Sequence, residues 1–121
     1  MSASNLQTVL SGNNVINQSV YDRIHLAPAP QNTNTPHITY EYDSSDPIKN
    51  LSGVTNLKCE DWTNYITDKN FTNGNAIKSA VIDAISSEKV LFNASIQDED
   101  YEKDEEAQTH RFEINYTIYY Y

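Results

Sequence analysis

The chain holds one cysteine, three glycines, few cations and no apolar run near the roughly 18 residues that span a bilayer. Each shortage closes a class. A single thiol, Cys59, forms no internal disulfide, so a small cross-linked secreted scaffold is excluded. Three glycines in 121 residues leave no glycine-rich loop to cradle a phosphate. Eight Lys and Arg against seventeen Asp and Glu give a formal charge of −9. That balance opposes a specific nucleic-acid surface, because such surfaces neutralise phosphates with cations; it suits partners with basic patches. The opening "MSASNLQTVLSG" has no basic start and no long apolar stretch, and does not read as a secretion signal. Five N-x-S/T triplets, at Asn17, Asn50, Asn70, Asn93 and Asn115, then carry no glycosylation reading.

What the chain does have is tyrosine, nine in all, and alternation. In "HRFEINYTIYYY" the residues His110, Phe112, Ile114, Tyr116, Ile118 and Tyr120 fall on one face, and Arg111, Glu113, Asn115, Thr117, Tyr119 and Tyr121 on the other. Period two predicts a half-buried strand. Burying Phe112, Ile114 and Ile118 contributes about 1.5–3 kcal/mol each, which places this strand inside a sheet. "HITYEYD" predicts a strand with Ile38, Tyr40 and Tyr42 inward. "VTNLKCEDWTNY" predicts another, with Leu57 and Cys59 on one face; Trp62 breaks that register and implies a bulge or the opposite face. "VLFNASIQ" predicts a third.

Ile77, Ala80, Val81, Ala84 and Ile85 recur at helical spacing. Leu6, Val9 and Leu10 do so between a Ser4 cap and a Gly12 stop. The stretch "NNVINQSVYDRIHL" reads as a turn and short strand packing Val20, Tyr21 and Ile24 inward, and "TDKNFTNGN" as a turn. Residues 27–36, with three of the four prolines, form an extended loop. "DEDYEKDEEAQT", residues 98–109, carries Asp98, Glu99, Asp100, Glu102, Asp104, Glu105 and Glu106, and reads as a solvated hairpin loop or an extended hairpin tip. The expected fold is a single α+β domain over 1–121, a small antiparallel-dominated sheet packed against two helices.

Chemistry is scarce. His25, His37 and His110 lack the close spacing of metal ligands. Asp98 and Asp100 fit the start of a calcium loop, but its sixth position is Lys103 and its twelfth Thr109. Cys59 sits in a strand, where a small buried hydrophobe is the default role. The reading is a protein without catalytic, metal or cofactor residues. Its candidate contact residues are Trp62, Tyr65, Tyr119 and Tyr121, aromatics of the kind enriched at interfaces, with Pro28 and Pro30 in the rigid loop.

The order "NLQTVL", "VYDRIHLAPAPQNTNTPHITYEY", "LKCEDW", "NAIKSAVIDAI" and a hairpin ending "HRFEINYTIYY" resembles the tail completion proteins of long-tailed bacteriophages over nearly the whole chain. That resemblance implies a non-catalytic virion subunit, assembled in the bacterial cytoplasm. It implies a ring, commonly a hexamer, that caps the tail tube and meets the tail tube protein and the head connector or closure protein. DNA passes such a ring without specific binding. The acidic segment would then line the opening or dock on a basic connector surface. Two alternatives stand beside it: a head-closure or connector subunit, and a small acidic protein that binds a basic host partner through Asp98–Glu106.

Overall fold

Alternation over residues 110–120 becomes the strand around which the domain is built. The structure, a computed structural model, describes residues 3–28, 34–45 and 58–120. In chain order these form α1 (Ala3–Ser11), α2 (Asn14–Val20), β1 (Ile24–Leu26), β2 (His37–Ser45), β3 (Lys58–Asp68), α3 (Phe71–Ser87), β4 (Asn93–Asp104) and β5 (Thr109–Tyr120). The strands make one sheet in the order β1-β2-β3-β5-β4. β1 runs parallel to β2, and every other pairing is antiparallel. The expected α+β domain is the one observed, with β5 an interior strand, although three helices cover the sheet where two were expected.

Register assigns the faces. Trp62 pairs with Tyr42 on one side and Tyr116 on the other, and Ile66 with Ile38 and Phe112. Directly paired residues share a face, so these six side chains form the floor of the core. Leu6 and Leu10 of α1, Ile16 and Val20 of α2, and Ile77, Val81 and Ile85 of α3 close it from above, all wholly buried. α3 lies close against the sheet at Gly74, where an added Cβ would stand 2.7 Å from Phe112 Cε2. Glycine is there for space.

One open alternative is resolved and two local readings need correction. The pairing of β3 with β5 is continuous from Lys58 to Asp68, so no bulge interrupts β3. Trp62 takes the second of the two expected arrangements, the face opposite Cys59, and that face is the core; Leu57 lies outside the described residues. The segment after Gly12 is helical: the Asn13 side chain accepts from Ile16 N at 3.0 Å, and Ile16 and Val20 share a buried face. Tyr21 then leaves the helix in the left-handed region, φ 55°, and is 63% exposed, not packed inward. Finally, the turn expected over 67–75 is shorter. β3 runs to Asp68, and Asn70 caps α3 by accepting from Asn73 N at 2.8 Å.

The core carries polar groups with assigned partners. Glu60, 3% exposed, accepts from Trp62 Nε1 at 3.0 Å and from the Tyr120 hydroxyl at 2.6 Å. Tyr116 donates to Asn64 Oδ1 at 2.7 Å, while Asn64 Nδ2, also buried, has no partner among the described residues. Tyr40 donates to Gln7 Oε1 of α1 at 2.9 Å, tying helix to sheet.

Candidate interaction surfaces

With the helices packed on one face, the pleat sends alternate side chains of β3 and β5 to the other. That open face is polar. Thr63 donates to the Asp43 carboxylate, and Thr117 to Asp61 Oδ1 at 2.7 Å. The Arg111 guanidinium lies 5.0 Å over the Tyr65 ring. Burial, and then the nearby carboxylates of Glu41, Glu113 and Asp43, raise the Tyr65 pKa above its ordinary value; Arg111 opposes them.

The contact residues expected from sequence do not gather into one patch. Trp62 is fully buried against Tyr40 and Tyr42, with ring centroids at 5.9 and 5.3 Å, so it offers no surface. Tyr65 and Tyr119 are half-buried on the open face. Tyr119 pairs with Cys59, six positions from Tyr65 along β3, which separates the two by about 20 Å. Pro28 is exposed just after β1, following a cis peptide bond. Pro30 and Tyr121 lie outside the described residues.

Of the two forms expected for the acidic segment over 98–109, the structure shows the extended hairpin and not the loop. Asp98–Asp104 belongs to β4, paired throughout with β5, and only residues 105–108 form the turn. Hydrogen bonding along one edge of β4 does not prevent its carboxylates from staying hydrated, which is how an edge strand tolerates this charge. A register shift between Ile96 and Asp98 moves the alternation by one residue. Asp98, Asp100, Glu102 and Asp104 therefore share the open face with their partners Asn115, Glu113, Arg111 and Thr109. Glu99, Tyr101 and Lys103 turn to the helix face. Glu99 pairs with Lys78 of α3 at 3.0 Å, Glu102 with Arg111 at 3.1 Å, and Glu105 of the turn with Lys103 at 3.8 Å.

That shift assembles a site the sequence reading missed. Tyr101 meets Phe112 and Phe71 at centroid distances of 5.2 and 5.4 Å, and stacks on His110 at 5.8 Å with its hydroxyl bonded to Nδ1. Phe71 and Tyr101 are 48% and 42% exposed and flank a groove of about 380 Å³, with Lys78, Glu99 and Asp100 at its rim. The signal was a lone aromatic among carboxylates. It could be placed only once the bulge was known.

No group of three or more potential ligands among the described residues could hold a metal ion, and none of their helices is long and apolar enough to cross a membrane. No family model matches the chain, and no curated protein does. Among solved structures it is similar to a chain of the virion of a native gene transfer agent (GTA) particle. The TM-score is 0.73 at 15% identity, over 93% of this chain and 89% of that one. The likeness is one of fold.

Proposed function

We propose that this chain is a non-catalytic structural subunit of a phage-type virion, a tail completion protein that stands in a ring on the tail tube and joins it to the head connector. The observation that carries the reading is the fold likeness to a gene transfer agent virion chain over nearly the full length of both. The order of sequence segments, taken independently, supports the same class. A ring requires one surface of a subunit to meet a different surface of the next. A sheet with helices on one face and unlike strands at its edges supports that arrangement. Virion location, the tail tube and connector partners, and passage of DNA through the ring belong to the same proposal.

Electron microscopy of the protein mixed with purified tails lacking it should show a density capping the tube end. Deleting the gene should leave filled heads beside separate, unjoined tails. Bare tube ends after mixing would overturn the reading, and leaking, unfilled heads would favour a head-closure subunit in its place. The acidic β4 supports one rival of another class, a protein that captures a basic host partner. Pulldown from host lysate that is abolished by raised salt, together with normal virions in the deletion, would favour it.

A further inference from the structure

We infer that the two edges of the sheet are the two halves of one head-to-tail contact, in which Tyr21 and Leu26 of one copy seat in the Phe71–Tyr101 groove of the next. The inference deepens the ring reading above and rests on it for copies standing side by side. Its basis is that, of the six large apolar side chains exposed among the described residues, four gather at the two sheet edges; Val15 and Val90 are the other two. Tyr21 and Leu26, 63% and 45% exposed, belong to the segment that forms the β1 edge. Phe71 and Tyr101, 48% and 42% exposed, lie at the β4 edge. Four inter-strand spacings, about 19 Å, separate those edges. Leu26 pairs with Tyr40 and Tyr101 with Phe112, so both project from the helix-bearing face, one at each end of the sheet.

Charge decides which copy-to-copy geometry is allowed. β4 carries five carboxylates against one lysine. A two-fold contact through β4 would set this row against itself, and like charges directly opposed are destabilising. The β1 segment is close to neutral: Asp22, Arg23 and His25 flank its apolar residues, with the Arg23 guanidinium 5.4 Å over the Tyr21 ring. Glu99 and Asp100 rim the groove that would receive it. An edge that repels itself and tolerates the opposite edge gives a heterologous, propagating contact. The groove has room for an aromatic or leucine side chain, and its walls are rings already held in place by packing. Aromatic anchors in such settings dominate interface energetics.

The test uses full-length protein in a Cys59→Ser background, with the exposed neighbours Asp22→Cys and Asp100→Cys made singly and together, so that Tyr21, Leu26, Phe71 and Tyr101 stay in place, and a short bismaleimide cross-linker at high protein concentration. Mixing the two single variants should give heterodimers, each alone should give none, and the double variant should give a ladder of multimers. Phe71→Ser should lower the heterodimer yield about tenfold, equivalent to about 1.4 kcal/mol. Circular dichroism and maleimide mass-tagging establish that each variant is folded and its thiol reactive. Homodimers of Asp100→Cys alone, or no heterodimer from the mixture, would overturn the contact. Repeating the reaction on tails separates the two claims: capped tails without the 22–100 cross-link remove the contact and leave the neck role. A head-to-tail ladder in a protein that never binds tails does the reverse.

Discussion

Tyr116 and Asn64 form a polar pair sealed within the apolar core, and they show how much a single hydroxyl decides. Tyr116 Oη donates to Asn64 Oδ1 at 2.7 Å, and burial raises its pKa well above 10. Asn64 Nδ2 already lacks a partner among the described residues. Tyr116→Phe strips the second end of the carboxamide and should cost about 1–3 kcal/mol in chemical denaturation. Replacing both polar groups, in Tyr116→Phe/Asn64→Leu, should recover most of that loss, since a pair removed together leaves nothing unsatisfied. A double variant as unstable as the single would refute this account. The pH dependence has a definite sign. A phenol whose folded pKa lies above its unfolded value contributes stability fully below pH 10, and loses it as pH rises beyond. Tyr116→Phe should therefore flatten the alkaline limb of the stability curve.

Among the elements, α3 carries the largest share of the helical core, and its start depends on one side chain. Asn70 accepts from Asn73 N at 2.8 Å, and Asp68 at the end of β3 accepts from Asn70 N at 3.0 Å and from Asn73 Nδ2 at 2.6 Å. Asn70→Ala should lower stability by about 1 kcal/mol, read as a shift in denaturant midpoint at unchanged slope. The same device starts α2 through Asn13. There it makes a helix of seven residues, too short to be stable without the core beneath Ile16 and Val20. β4 is the converse case. Its composition favours solvent, and it is a strand because β5 offers a full row of hydrogen-bonding partners.

At the scale of the whole molecule, a charge of −9 and an isoelectric point near 4.5 impose self-repulsion on the folded state. Added salt screens it over about 10 Å at 0.1 M ionic strength. Raising sodium chloride should therefore increase stability, by about 1 kcal/mol or about 4 °C in midpoint, with the thermal melt as the measurement. A midpoint that falls with salt would mean that the pairs Lys78–Glu99 and Arg111–Glu102 outweigh the net repulsion. The same screening should strengthen any contact made at the acidic β4 edge. Head-to-tail cross-linking should therefore rise with salt in the same range, whereas capture of a strongly basic partner should fall.

Periodicity decides how much of this was legible in the chain. β5 and α3 could be read directly, because runs of five or six apolar residues at spacing two, or at three and four, bury one face in only one way. Those elements determined the α+β class, and the acidic balance argues against phosphate-binding surfaces. Trp62 could not be assigned, because its face depends on register with Tyr42 and Tyr116, residues 20 and 54 positions away. Tyr101 was hidden for the same reason: a one-residue shift at Gln97 turns it from solvent toward Phe71. Local pattern carries propensity and facing within an element. Pairing between distant strands, with loop closure offset by burial on both sides, belongs to the tertiary structure, and it alone built the aromatic groove.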